Sequence, residues 1–467
     1  MFPTILLAIC GLIAALLVTF IVMPRVIKTM KKRHRVGIDV HKLDKPEVAE
    51  MGGVGILVGV IISCLVLFFG SFFASGFFDF RILVFLSVIL LAGLIGIIDD
   101  VKTLGPKVKP ILTAIACLPI LLYSWSLWLL WFLGISPPLP AAYNPHPHLP
   151  FLGQTQLTIV YPFLIPFAIA VPANAVNMID IFNGVMPLTS ILMFVALLFV
   201  SLYLMAIGIP GAELGVLFSC VMIGVLIAYY YFNRYPAKTF AGDTGSLIVG
   251  AALGATAVMG RVEIVAIIAL LPAIMNAFYS LVSIGGLLER HQMKERPIVF
   301  QADGTLADSK NSEAPFTLTR LILARGPLTE QRIVLSLATL TLASSVLAIL
   351  TVFLIPFNSV YPLAWPLNLS FVVVPLCLIF GVYLALRKKD HMGLRISGLI
   401  SIMVGVWALG MAGFALLDYL IIIIQSELWP IAGILFVFGW LALWHFSTRL
   451  YYHYEVKNSK TVNRTTS

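Results

Sequence analysis

Charged residues are scarce in this chain: Asp, Glu, Lys and Arg make up 11% of its 467 residues, whereas hydrophobic residues make up 60%. A soluble globular protein carries roughly 25% charged residues, and a disordered chain is poor in apolar ones. Both classes are therefore excluded. The mean hydropathy of +1.02 predicts an all-α, polytopic membrane protein.

Cysteine is also sparse. The five cysteines show no metal-ligand spacing and fall within apolar runs, which is typical of packing residues: they are Cys10, Cys64, Cys117, Cys220 and Cys377. The first apolar run has no basic segment before it and no small-residue cleavage site after it. We therefore expect a retained membrane helix there and not a signal peptide.

Thirteen apolar runs are long enough to cross a bilayer, which takes about 20 residues. They predict helices over about residues 3–23, 53–75, 82–98, 111–135, 157–175, 185–208, 214–232, 245–260, 263–287, 333–356, 368–386, 396–417 and 428–448.

The loops between these runs differ in charge. With the amino terminus outside, 28 of the 30 Lys and Arg residues lie on the cytoplasmic side, and the exceptions are Arg81 and Arg261. This asymmetry accounts for the net charge of +9 without a nucleic-acid partner. Sixteen of the 21 acidic residues lie on the same side, which points to a polar site at the cytoplasmic helix ends.

Two adjacent carboxylates, Asp99 and Asp100, end the third predicted span. Like charges repel, so such a pair is stable only in water, beside Lys or Arg, or near a divalent cation. Taken alone, the pair is more simply interpreted as a solvated helix end with Lys102, Lys107 and Lys109 as partners.

Four polar residues recur at three-residue steps between two apolar spans: Asn174, Asn177, Asp180 and Asn183. This spacing puts them on one face of a helical turn. They are costly in a membrane unless they hold one another, water or a ligand. A helix cap is the alternative interpretation, but a cap needs only one Asn.

A Gly-Asp-Thr-Gly turn places Asp243 at the start of a predicted helix. The position suits a Mg²⁺ ligand, and it also suits a helix cap. Phe240, three residues earlier, could stack on a base. Basic segments at 37–53 and 289–300 are each typical of positive-inside loops, but together with the carboxylates they could clamp phosphates.

These motifs form an ordered set: MGG at 51–53, DD(x)3L(x)4K at 99–109, NAVNMID(x)2NG at 174–184 and FN(x)2PA(x)2F(x)GDTG at 232–245. The set resembles the polyprenyl-phosphate N-acetylhexosamine-1-phosphate transferases. The resemblance implies a ten-helix transferase core over residues 1–356. The three additional helices predicted over 357–452 have no counterpart in that ten-helix pattern, and they predict a cytoplasmic tail at 453–467. It also implies Mg²⁺-dependent transfer of a sugar 1-phosphate from a UDP-sugar to a polyprenyl phosphate, with release of UMP.

The resemblance also assigns roles to residues. Asn177 and Asp243 would hold Mg²⁺, for which Mn²⁺ could substitute. Asp99, Asp100 and Lys109 would be catalytic: Lys109 would neutralise phosphate charge, and the two carboxylates would act as base, metal ligand or positioning groups for the lipid phosphate.

Substrate-binding roles follow from the same resemblance. Phe240 and Asn183 would contact uracil, Lys294 and Arg296 would grip the pyrophosphate, and Glu50 would lie near the sugar. The full substrate-binding set is Lys45, Glu50, Asn183, Asn233, Phe240, His291, Lys294 and Arg296.

The branch of the family is indicated by His291, which stands alone before KERPIVFQADGTL. This stretch resembles the basic loop and short hairpin of the dolichyl-phosphate GlcNAc-phosphotransferases. We therefore expect UDP-GlcNAc and a dolichyl-type carrier, with another UDP-N-acetylhexosamine as the alternative donor. The segment 37–53 is similar to archaeal members, which implies a plasma-membrane protein with a cytoplasmic active site that starts lipid-linked oligosaccharide assembly for N-glycosylation.

Two other classes fit a polytopic protein. A transporter or lipid flippase usually has ionisable groups near the midplane, whereas Glu213, Glu263 and Asp418 lie towards the outer side here. An inactive scaffold is the second alternative, although no key acid is missing from the motifs. The three additional helices could serve packing, homodimerisation or a lipid-facing wall.

Overall fold

The computed structural model describes residues 2–132, 148–149, 153–154, 161–284, 295–311 and 313–352, together with Arg449 and Tyr452. The helices are α1 (Phe2–Lys32), α2 (Gly53–Ser75), α3 (Phe80–Val101), α4 (Val108–Ile115), α5 (Leu118–Phe132), α6 (Tyr161–Ile179), α7 (Val185–Ala206), α8 (Ala212–Asn233), α9 (Gly242–Gly260), α10 (Glu263–Ala269), α11 (Leu271–Ile284), α12 (Leu318–Leu323) and α13 (Glu330–Val352). Three antiparallel hairpins pair β1 (Val36–Ile38) with β2 (Glu47–Ala49), β3 (His148–Leu149) with β4 (Gly153–Gln154), and β5 (Ile298–Phe300) with β6 (Leu306–Asp308).

The membrane spans agree with the sequence. In the described part of the chain, nine helices are long and apolar enough to cross a membrane, and α10 with α11 passes the same test as a pair of helices bent by 63°. These correspond to the ten spans predicted over residues 1–356, so the all-α, integral membrane fold is confirmed. The three spans predicted over 357–452 and the tail at 453–467 lie outside the described residues, apart from Arg449 and Tyr452.

Helices α8 and α9 form the centre of the bundle. Helix α8 packs against α1 and α7, and α9 packs against α3 and α6. A Cβ atom at Gly250 would lie 2.4 Å from the carbonyl oxygen of Pro172, and one at Gly254 would lie 2.0 Å from that of Ala168. Only glycine permits this approach, which is the small-xxx-small packing of membrane helices. The close contact fixes the middle of α6 against the middle of α9.

Polar clusters lie at opposite ends of the bundle. At the start of α3, Arg81 pairs with Asp79 at 2.8 Å and with Glu213 at 2.9 Å. The 22 residues of α3 cover about 33 Å, close to the thickness of a bilayer core. Its other end, at Asp99 and Asp100, reaches the start of α9. This second end carries the candidate site.

Candidate active site

All four sequence motifs meet at one end of the bundle. Asp99 and Asp100 lie in the last turn of α3, and Lys109 lies at the start of α4. Asn177 lies in the last turn of α6, and Asp243 lies in the first turn of α9. Helix ends expose backbone amides and carbonyls that have no partner within the helix, so this end of the bundle can hold charged ligands.

The ammonium group of Lys109 lies between two carboxylates. Its Nζ is 2.5 Å from Asp99 Oδ2 and 2.7 Å from Asp243 Oδ1. Asp99 is only 4% exposed and also accepts a hydrogen bond from the Leu104 N–H at 2.7 Å. The simpler interpretation of a solvated helix end is therefore wrong for Asp99. The pairing neutralises part of the negative charge that the two carboxylates bring together.

Asp100 has a different set of partners. Its Oδ1 accepts a hydrogen bond from the Asp243 N–H at 2.7 Å. Its Oδ2 accepts from the Thr244 N–H at 3.0 Å and from the Thr244 hydroxyl at 2.5 Å. These are the first amides of α9, which lack partners inside the helix. Asp100 therefore caps α9 from outside and fixes the position of Asp243.

Gly242 lies directly under this cap. Its φ is +68°, a conformation that L side chains rarely adopt, and a Cβ atom there would lie 2.6 Å from Asp100 Oδ2. Glycine is required on both grounds.

Asn177 joins the same cluster from α6. Its Nδ2 donates to Asp243 Oδ1 at 2.5 Å and to Ser246 Oγ at 2.8 Å. Nearby, Asn174 Nδ2 donates to Thr113 Oγ1 at 2.9 Å. Asn174 and Asn177 thus hold α6 against both α4 and α9. The prediction that Asp180 and Asn183 share their helical face is wrong, because α6 ends at Ile179 and both residues lie in the turn that follows.

The donor chemistry of Asp243 and Asn177 fits Mg²⁺. This ion is held by one or two carboxylates, with water and substrate phosphates completing its octahedral shell. Within the described ranges, no group of three or more His, Cys, Asp or Glu side chains is placed to hold a metal ion. One carboxylate and one amide leave most coordination positions of the ion open for water and substrate phosphates.

Asp180 lies in the turn between α6 and α7. Its backbone N–H donates to the Asn177 carbonyl at 3.3 Å. Burial raises the pKa of the Asp180 carboxyl to about 7, and the Asp243 carboxylate adds to the effect.

A second cluster, here called the Lys42 cluster (Asp39, Lys42, Asn183 and Glu330), joins three distant segments. Lys42 Nζ lies 2.8 Å from Asp39 Oδ2 and 2.7 Å from Glu330 Oε2. Asn183 donates its backbone N–H to Glu330 Oε1 at 2.8 Å and its Nδ2 to Asp39 Oδ2 at 2.9 Å. All four residues are buried.

The pKa shifts in the Lys42 cluster follow from these contacts. Burial acts to raise the pKa of Asp39, but hydrogen bonds from Lys42 and Asn183 outweigh it and leave the pKa below its ordinary value. Burial acts to lower the pKa of Lys42, but its bonds to Asp39 and Glu330 raise it. Both groups are therefore ionised at neutral pH.

Asp39 and Glu330 were not predicted from the sequence to have a role in the site. The three-residue spacing of Asp39 and Lys42 was an available local signal. Glu330 gave none, because its partners Lys42 and Asn183 are 288 and 147 positions away.

Asn233 and Phe240 are held by backbone contacts. Asn233 Oδ1 accepts from the Gly184 N–H at 3.0 Å. Phe240 donates its N–H to the Ala49 carbonyl at 2.8 Å, and its carbonyl accepts from the Gly52 N–H at 2.8 Å. The structure thus uses the Asn233 side chain to hold the turn before α7, while the Phe240 ring is only half-buried.

Other predicted substrate-binding residues lie at the same end of the bundle. Lys45 is exposed with a φ of +42° between β1 and β2, and Glu50 is half-buried just after β2. Arg296 is exposed immediately before the β5–β6 hairpin, and that hairpin confirms the one expected after the basic loop. His291 and Lys294 lie outside the described residues.

Known proteins are similar to this chain in sequence. The family model described as glycosyl transferase family 4 matches residues 82–261, which include Asp99 and Asp243. A Saccharolobus solfataricus protein is 31% identical over 246 residues, covering 52% of this chain and 68% of the relative. A Sulfolobus acidocaldarius protein is 28% identical over 251 residues, with 54% and 70% covered. Both carry the provisional name UDP-N-acetylglucosamine–dolichyl-phosphate N-acetylglucosaminephosphotransferase.

A bacterial relative shows the same similarity. The phospho-N-acetylmuramoyl-pentapeptide-transferase of Streptococcus uberis is 33% identical over 262 residues, covering 55% of this chain and 73% of the relative. The segment matched by the family model, residues 82–261, contains the helix ends that build the cluster of Asp99, Lys109 and Asp243. On the strength of its fold, its site and these similarities, the chain belongs to glycosyl transferase family 4.

Proposed function

We propose that this protein transfers GlcNAc 1-phosphate from UDP-GlcNAc to a polyprenyl phosphate of the dolichyl type and releases UMP. The observation that carries the proposal is the position of Lys109 between Asp99 and Asp243, beside the last turn of α3. A transferase of this kind must bring two anionic phosphates together, and a cation held between carboxylates on a membrane surface meets that need. The names of the two archaeal relatives support this donor and acceptor.

The donor diphosphate would lie at Asp243 and Asn177, which would hold Mg²⁺, or Mn²⁺ in its place. When bound, the ion would supply positive charge that offsets the charge of the phosphates. Lys109, 2.7 Å from Asp243, adds a second positive charge. Arg296, with Lys294 and His291, would contact the same diphosphate from the loop before β5.

The acceptor lipid would approach along α4. Val108, Ile111 and Ile115 are 45%, 62% and 45% exposed on this short helix and flank Lys109. An apolar prenyl chain can lie against such a surface while its phosphate reaches the Lys109 ammonium. The second pKa of a phosphomonoester is about 6, so the acceptor is largely ionised, and positioning matters more than deprotonation.

The two catalytic aspartates would then have separate tasks. Asp99 contacts Lys109 and lies on the side from which the acceptor approaches. Asp100 is engaged with the first turn of α9 and would act by holding Asp243. Asn183 and Phe240 would contact the uracil, with Asn233 supporting the turn, and Lys45 and Glu50 would lie towards the sugar.

In the cell, this end of the bundle would face the cytoplasm, which the positive-inside asymmetry of the Lys and Arg residues supports. An archaeal-type plasma membrane and the first step of lipid-linked oligosaccharide assembly follow from the same proposal.

UMP release by the detergent-purified protein tests the function. The assay compares UDP-GlcNAc, UDP-GalNAc and UDP-MurNAc-pentapeptide with dolichyl phosphate, with and without Mg²⁺. We expect metal-dependent release with UDP-GlcNAc, abolished in Asp243→Ala and retained in Asp303→Ala, which removes a carboxylate from the tip of the β5–β6 hairpin. No release with any donor by folded wild-type protein would refute the proposal.

A further inference from the structure

We propose that Glu330 and Asp39, joined through Lys42, are positioning residues for the nucleotide half of the donor site. They fix the Asn183 turn and the β1–β2 hairpin relative to each other. The inference rests on the proposed function, because it concerns the donor. It assigns a role to residues that contact neither Asp243 nor Lys109 among the described contacts.

Burial of the Lys42 cluster is the first reason. Asp39, Lys42 and Glu330 are 4%, 8% and 4% exposed. Removing charges from water is costly, and a buried ion pair is often no more stabilising than apolar residues of similar volume. Stability alone therefore does not explain two carboxylates and an ammonium group at this place. A positioning role does explain these charged groups, because directional hydrogen bonds between them hold their three segments at fixed relative positions.

Glu330 uses both of its oxygens. Oε1 accepts from the backbone N–H of Asn183, and Oε2 lies 2.7 Å from Lys42 Nζ. Glu330 is the first residue of α13, and α13 packs against α7, which begins directly after the Asn183 turn. One side chain therefore ties the turn to the helix that supports it.

The β1–β2 hairpin connects the two residues proposed to contact the base. Asp39, just after β1, accepts from Asn183 Nδ2 at 2.9 Å. Ala49, in β2, accepts from the Phe240 N–H at 2.8 Å. Asp39 also donates its N–H to the Pro46 carbonyl at 3.0 Å, which closes the hairpin loop. A shift of this hairpin therefore moves Asn183 and Phe240 relative to each other.

Donor binding is the quantity that should respond. We expect Glu330→Ala to raise the KM for the UDP-sugar on the order of tenfold to a hundredfold, the size of effect that loss of a hydrogen bond to a charged group produces. The kcat and the KM for dolichyl phosphate should stay close to wild type. Glu330→Gln keeps an oxygen acceptor for the Asn183 N–H, so it should restore part of the donor affinity.

Lys42→Met provides a second, independent variant. If Lys42 and Glu330 act as one unit, the double variant Lys42→Met/Glu330→Gln should raise the donor KM by less than the product of the two single effects. If Glu330→Ala fails to fold, this comparison still tests whether Lys42 and Glu330 act together on the donor KM.

Glu213→Gln is the matched control. It removes a carboxylate partner from the half-buried Arg81 at the opposite end of the bundle, so it should lower the unfolding temperature without changing the donor KM. Calorimetric binding of UDP to each variant gives a readout that does not depend on turnover.

Two results would overturn the inference while wild-type UMP release stands. One is an unchanged donor KM in folded Glu330→Ala. The other is a change in the kcat, the donor KM and the KM for dolichyl phosphate by similar factors in Glu330→Ala, with the same changes in Glu213→Gln. Absence of UMP release by the wild type would refute the proposed function instead, and UDP binding would still report on positioning.

Discussion

The carboxylate of Asp100 caps the helix that carries Asp243, and its Oδ1 accepts a hydrogen bond from the Asp243 N–H at 2.7 Å. The start of α9 is thereby set by the end of α3. Its neighbour Asp99 instead contacts Lys109. Two residues that look equivalent in the sequence thus have different surroundings, and substitutions should separate their effects.

Loss of the Asp100 cap should weaken both folding and metal binding. Asp100→Ala leaves the first amides of α9 without an acceptor, which costs about 1–3 kcal/mol of unfolding free energy. It also frees Asp243 to move, so more Mg²⁺ should be needed for half-maximal UMP release. Thermal unfolding and a Mg²⁺ titration measure the two effects.

Asp79→Ala is the control for this cap. Asp79 accepts from the Arg81 N–H at the start of α3, at the opposite end of the bundle. The variant should lose stability with no change in the Mg²⁺ requirement. An unchanged Mg²⁺ requirement in Asp100→Ala would argue against the positioning role of Asp100.

Gly242→Ala should abolish activity beyond its effect on folding. The positive φ costs about 1–2 kcal/mol for a residue with a Cβ atom, and the added atom also meets Asp100 Oδ2 at 2.6 Å. Gly76 has a φ of +79° with no atom within 4 Å of the added Cβ, so Gly76→Ala has the backbone cost alone. Measuring UMP release and thermal unfolding for both variants separates the cost of the positive φ from the effect of the contact with Asp100. Equal activity in the two variants would contradict the prediction.

Lys109→Ala should lower kcat by about 10²–10³, the usual effect of removing one group that stabilises developing charge. Without the ammonium, Asp99 and Asp243 also repel each other and the incoming phosphates. Lys107, which is exposed two positions away, serves as the control, and Lys107→Ala should retain nearly full turnover because exposed charges contribute little. Similar turnover in both variants would remove Lys109 from the proposed site.

The contribution of Lys42 to stability should not depend on pH between pH 7 and 9. The lowered pKa of Asp39 means that its contribution is complete above the ordinary value of 3.8 and is lost only as the pH falls below it. The raised pKa of Lys42 means that its contribution is complete below 10.5 and is lost as the pH rises further. The difference in unfolding free energy between wild type and Lys42→Met, measured across this range, should be flat. A slope would show that Lys42 titrates there and is not held by its two carboxylates.

Local signals predicted much of the molecule. Helix α2, Gly53–Ser75, occupies the residues expected from its apolar run, since such a run identifies a membrane helix without any distant contact. The β5–β6 hairpin was expected for a different reason, because the residues after the basic loop resemble those of one branch of the family. The bend of 63° between α10 and α11 was not predicted, although Pro272 marks a place where a helix loses a backbone hydrogen bond.

What the sequence by itself determined is therefore the set of spans, the asymmetry of charge and the identity of the polar motifs, because each depends on residues close together in the chain. The tertiary structure decided which of those polar residues meet. Asp100 is 143 positions from Asp243, and Asn183 is 147 from Glu330. No local pattern encodes such pairs, because they form only when helices pack closely enough to bring their ends to one side of the membrane.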